Sequence, residues 1–80
     1  MNDPEWFDTD RWWVLRNGLY ASGRVTIYTR LYKEDFFDYP KWTLRFTLED
    51  PDNLVQLDPN LTLDEAKEVA MVLSIARSNK

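Results

Sequence analysis

The chain has 80 residues and a formal net charge of −4, from 10 lysines and arginines against 14 aspartates and glutamates. It contains neither cysteine nor histidine, which excludes disulfides, thiolate zinc sites and imidazole general bases. A chain this short can form one small domain with a limited core and cannot form a barrel enzyme. We therefore expect a single domain over 1–80, with an acidic arm at 1–10, a β-meander at 11–49, a loop at 50–61 and a helix at 62–78.

Charge and aromatic residues are both unevenly distributed. Residues 1–10 carry four acids and no base, residues 11–46 carry seven bases and three acids, and residues 47–80 carry seven acids and three bases. All twelve aromatic residues precede residue 47. A basic, aromatic middle segment therefore lies between two acidic ends.

Nothing at the N-terminus resembles a secretion signal, since Met1–Glu5 has neither a basic region nor an apolar run. The chain also lacks an apolar stretch long enough to cross a bilayer. We expect a cytoplasmic protein without membrane contact.

Alternation of apolar and polar residues predicts strands in the middle of the chain. Trp12–Arg16 is a short apolar run before Asn17-Gly18, a dipeptide typical of tight turns. Residues 24–32 and 41–49 alternate with a period of two, which is typical of half-buried strands. Residues 54–57 could add a short edge strand. The side chains that this pattern places on the outer face are Thr26, Tyr28, Arg30, Tyr32, Thr43 and Arg45.

A helix is predicted over 62–78. Thr62 and Glu65 have the spacing of a capping box, in which each side chain bonds the other residue's backbone amide. The residues expected to face the sheet are Ala66, Val69, Ala70, Val72, Leu73 and Ala76, which share one arc. Together these segments predict an α+β fold in two layers, with an antiparallel meander packed on one C-terminal helix. The meander has three strands, or four if residues 54–57 join it.

Three groups of residues are candidates for binding a partner. One helix covers only one face of a sheet, so Tyr28, Arg30, Tyr32 and Arg45 would form the opposite face, either solvated or in contact with a partner. The N-terminal arm, with Trp6 and Phe7, could instead cover part of that face and bring its acids to the arginines. The other two groups are Phe36 and Phe37 in the loop before Pro40, and Met71 and Ile75, which lie outside the predicted core arc of the helix.

These features favour a non-enzymatic module that binds another protein or a second copy of itself. Serine has no histidine to activate it, and the carboxylate clusters at 34–38 and 49–52 match no metal-binding motif, so we expect no catalytic residue, metal, cofactor or small-molecule substrate. A sheet that binds single-stranded nucleic acid is the alternative, since exposed tyrosines can stack on bases. The net negative charge disfavours it.

The segment Leu61–Ala70 resembles the LTxxEAxxxA helix that ends many small proteins of bacterial, especially actinobacterial, genomes and their phages. There the helix usually follows a short β-meander. The resemblance covers about the last quarter of the chain. It implies an origin in a bacterial or phage genome more than an activity. If the chain is encoded by a phage or mobile element, its size, its lack of catalytic groups and its surplus of aromatic residues favour a role as a modulator or inhibitor of a host protein.

Overall fold

A computed structural model describes residues 4–34, 39–47 and 53–79. Within these ranges the elements in chain order are β1 (Trp6–Asp8), β2 (Trp12–Leu15), β3 (Gly18–Tyr20), β4 (Gly23–Val25), β5 (Thr29–Tyr32), β6 (Thr43–Arg45), β7 (Leu54–Gln56) and α1 (Leu63–Ser78). Five strands form an antiparallel sheet in the order β1-β2-β5-β6-β7, and β3 and β4 form a separate two-stranded sheet. The α+β class with a C-terminal helix is confirmed. The predicted strand number and the simple two-layer arrangement are wrong.

The largest departure lies at 24–32, which was predicted as one strand. It is divided into β4, which pairs with β3, and β5, which pairs with β2 and β6. At the break, the backbone N–H of Thr26 donates to Ser78 Oγ of the helix at 3.0 Å. Alternation continues through the break because Val25, Thr29 and Leu31 are all buried, so the pattern alone does not reveal it.

The core lies between the five-stranded sheet and α1, with an extension under the β3–β4 hairpin. One cluster includes Leu31 and Leu44, which are register partners on β5 and β6, packed on Ala66 and Ala70 of the helix. A second cluster consists of Leu15, Tyr20, Val25 and Met71, with Trp6 and Ile75 packed against it. The hairpin therefore covers a side of the helix that a simple meander would leave open.

The predicted capping box at the start of α1 is confirmed. Thr62 Oγ1 accepts from the Glu65 amide at 3.2 Å, and the Glu65 carboxylate accepts from the Thr62 amide at 2.9 Å. The expected core arc is only partly right, because Ala66 and Ala70 are buried whereas Val69 and Val72 are 37% and 57% exposed.

Met71 and Ile75 do not lie outside the core. Met71 is 4% exposed, and Ile75 is half-buried against Gly23 in β4. The helix is rotated relative to the predicted arc because the β3–β4 hairpin packs on this side of it. The basis on which these two residues were predicted to bind a partner is therefore wrong.

Candidate interaction surface

The sheet face opposite α1 carries one continuous row of side chains across all five strands. Each member lies directly opposite the next in register, and the row runs Phe7, Val14, Arg30, Arg45, Leu54. At about 4.8 Å between strands, this outer row is about 19 Å long. Its two ends, Phe7 and Leu54, are among the most exposed large apolar residues described, at 50% and 36%. The outer row thus has apolar side chains at both ends and two cations between them.

Arg30, at the centre of the outer row, is held by three aromatic side chains. Its Nη2 and Nε donate to the Tyr28 hydroxyl at 2.6 and 3.0 Å, and its Nη1 donates to the Tyr32 hydroxyl at 3.1 Å. The guanidinium carbon lies 4.0 Å from the centroid of the Trp12 ring, within the range of a cation–π contact. The guanidinium is therefore fixed in orientation before any partner arrives.

The surroundings of Arg30 stabilise the charged form of its guanidinium. Partial burial by itself lowers the pKa of the guanidinium, but the hydrogen bonds to the Tyr32 and Tyr28 hydroxyls outweigh it, so the pKa is raised. The salt bridges found within the described residues join Arg16 to Glu5 and Lys33 to Asp8. In this part of the chain no carboxylate neutralises Arg30.

Tyr32 supports this arrangement from beneath the surface. It is 1% exposed, stacks on Tyr39 with ring centroids 4.7 Å apart, and makes a tilted contact with Trp12 at 5.6 Å. Arg45 lies over the other tyrosine of this stack, 5.7 Å from the centroid of Tyr39, and its Nε donates to the Thr47 carbonyl. The expectation that Tyr32 would be accessible is wrong, because Trp12 and Tyr39 cover its ring.

Of the residues predicted to bind a partner, the structure brings Tyr28, Arg30, Tyr32 and Arg45 together on one face. Phe36 and Phe37 lie outside the described residues. Met71 and Ile75 belong to the core beneath the opposite face of the sheet.

Most of the apolar part of the surface, namely Val14, Trp12 and Leu54, was not predicted from the sequence, and Phe7 was one of two alternatives. The N-terminal arm does join the sheet, as β1, with Phe7 on the outer face and Trp6 on the helix side. Glu5 of the arm pairs with Arg16 at 3.2 Å and not with the arginines of the outer face, which differs from the alternative considered above. The continuous apolar run at 12–15 shows no alternation that would separate two faces, so only the strand pairing assigns Trp12 and Val14 to the outer face.

Comparisons of the chain with protein-family models, with curated proteins and with solved structures give no significant match. The described part of the chain has no helix with the length and apolar character that crossing a bilayer requires. Over the same residues, no three side chains of the types that ligate metals lie close enough together to share an ion. The surface must therefore be interpreted from its own chemistry.

Proposed function

We propose that this chain is a non-enzymatic protein-binding module that contacts its partner through the outer row. The observation that carries the proposal is the row itself, with exposed apolar ends on both sides of a guanidinium already fixed on three aromatic rings. Tryptophan, tyrosine and arginine are the residues that most often dominate binding energy at protein interfaces. A side chain that is ordered before binding loses less entropy when the complex forms, which favours affinity.

The partner is a protein that presents a carboxylate between two apolar side chains. Such a surface would match the outer row in both charge and spacing, with the carboxylate at Arg30 and the apolar groups at Phe7 and Leu54. A two-fold dimer through the same row would bring the Arg30 guanidinium groups of two copies together, since Arg30 lies at the centre of the row. The row therefore favours a different protein over a second copy, and light scattering of the purified chain tests this point.

The proposal extends to the setting in which the module acts. We place it in the cytoplasm, as a phage or mobile-element product that modulates or inhibits a host protein. Its support is the similarity of the segment Leu61–Ala70 to helices of such proteins. Expression of the chain in an actinobacterial host, with loss of one host activity as the readout, tests it.

The competing candidate is a sheet that stacks single-stranded nucleic acid, and the aromatic contacts argue against it. Stacking requires free ring faces, whereas Arg30 lies on Trp12 and the ring of Tyr32 is buried against Tyr39. We expect no retention of a labelled oligonucleotide even at low salt. Retention that weakens steeply as salt is raised would favour the nucleic-acid function instead.

The proposal is tested by removing the two exposed anchors together, as Phe7→Ser with Leu54→Ser. We expect capture of the partner from a lysate of the encoding cell to weaken by at least about tenfold, since two anchor residues at about 1 kcal/mol each are lost. Leu19→Ser with Val69→Ser is the matched control, because these side chains are 49% and 37% exposed and lie away from the outer row. Equal capture by both double variants would contradict the proposal.

A further inference from the structure

A second surface lies on the helix side of the molecule, away from the outer row. A cleft of about 360 Å³ opens between the first half of α1, the start of β1 and the turn between β3 and β4. This volume is near the lower end of the range of about 300–1,000 Å³ that is usual for ligand sites, and it suits one side chain of a partner. The residues that line the cleft are Pro4, Trp6, Ser22, Asp64, Lys67, Glu68, Met71 and Val72.

The floor of the cleft is apolar. Trp6 is half-buried, and Met71 is 4% exposed and belongs to the core cluster beneath. Val72 stands at the mouth and, at 57%, is the most exposed of the large apolar side chains described. A ligand that enters this cleft must therefore have an apolar stem.

The rim of the cleft is acidic. Asp64 and Glu68 are one helical turn apart, are both exposed, and form no ion pair within the described residues. Like charges at this spacing destabilise a helix slightly, so a cation bound between them would relieve that repulsion. Lys67 does not supply this cation, because its Nζ lies 3.7 Å from the centroid of the Trp13 ring.

We infer that this cleft binds an arginine side chain presented by a partner protein. An arginine stem can lie along Trp6 and Met71 while its planar guanidinium reaches the two carboxylates at the rim. A guanidinium also stacks on an indole ring more readily than an ammonium does. The two surfaces then have opposite charge preferences, with a carboxylate at the outer row and an arginine at the cleft.

N-acetyl-arginine amide is the probe, and N-acetyl-citrulline amide is its neutral control of nearly the same shape. We expect saturable NMR shifts of the Trp6 indole and Val72 methyl signals, with a dissociation constant in the millimolar range for so small a ligand. Citrulline amide should bind about tenfold more weakly because it cannot pair with the carboxylates. Equal shifts with the two amides, or none with the arginine probe, would overturn the inference.

Variants of the rim and the mouth locate the site. Glu68→Gln keeps the shape of the rim and should weaken the arginine probe several-fold. Val72→Lys places a cation at the mouth and should abolish binding, whereas Val69→Lys, on the exposed helix surface outside the cleft, should leave it unchanged. Loss of binding in both lysine variants, or in neither, would show that the probe binds elsewhere.

This inference stands independently of the proposed function. Arg30→Met alters the outer row and should leave arginine binding at the cleft unaffected, because Arg30 lies on the opposite face of the sheet. Loss of the probe's binding in Arg30→Met would contradict the location of the site. If partner capture through the outer row failed, the binding of the arginine probe expected at the cleft would not change.

Discussion

A pair of hydroxyls joins the helix to the sheet inside the core. Ser74 Oγ and Thr29 Oγ1 are hydrogen-bonded at 3.0 Å, and Ser74 Oγ also donates to the Ala70 carbonyl at 2.6 Å, with both side chains fully buried. Ser74→Ala should lower the free energy of unfolding by about 1–3 kcal/mol, because it leaves the Thr29 hydroxyl without its partner.

A double-mutant cycle with Thr29→Val checks this prediction by urea unfolding. The double variant should lose less than the sum of the two single losses, with a coupling of about 1 kcal/mol, because each single change already breaks the same bond. Additive losses would show that the two hydroxyls contribute independently.

Gly23 is the position where backbone conformation and packing both require glycine. Its φ is +141°, and a Cβ there would lie 2.8 Å from Ile75 Cγ2. Gly23→Ala should therefore destabilise the fold by about 1–3 kcal/mol, measured by thermal or urea unfolding. Gly18→Ala is the matched control, since a Cβ there would make ordinary contacts of 3.6 Å with the Tyr20 ring. Equal losses in the two variants would contradict this account of Gly23.

Individual residues show where the sequence was informative and where it was not. Val25, Leu31 and Leu44 were correctly assigned to the core side by alternation, because each lies within a strand with a buried and a less buried face. Tyr32 and Met71 were assigned to the wrong environments. Their burial depends on Tyr39 and on the β3–β4 hairpin, and no local pattern reports those packing partners.

Among the elements, the helix was the most predictable because its start is encoded by neighbouring residues. Thr62→Ala should destabilise the fold by about 1 kcal/mol by removing the acceptor for the Glu65 amide. Thr26→Ala is a suitable comparison, since that side chain is also an exposed threonine but caps no helix. The urea concentration at the midpoint of unfolding measures the loss of stability in both variants. Equal losses would mean that the Thr62 cap contributes no more to stability than an exposed threonine that caps no helix.

The strands were less predictable than the helix, although their alternation was clear. The break between β4 and β5 occurs where Thr26 bonds to the end of α1, a contact between residues 52 positions apart. The turn between β3 and β4 lies at residues 21–22, whereas Asn17-Gly18 leads directly into β3. Period-two alternation reports which side chains are buried, but strand pairing depends on contacts distant in sequence.

At the scale of the whole molecule, the outer row exists only because five strands pair in one register. A shift of one residue in β1 or β7 would move Phe7 or Leu54 to the other face of the sheet. Alternation in the sequence identifies the two arginines of the outer face, and strand pairing aligns them with the two apolar ends. Binding through this row is the central claim of the account.

Site-specific photo-crosslinking tests that claim most directly. Benzoyl-phenylalanine placed at Phe7, at one end of the outer row, should form one discrete adduct with a partner protein in a lysate of the encoding cell. Arg30→Met in the same chain should abolish the adduct. The same group at Leu19, which is equally exposed on the β3–β4 hairpin, should form none. Identical adducts from both positions, or a Phe7 adduct that persists in Arg30→Met, would contradict the account.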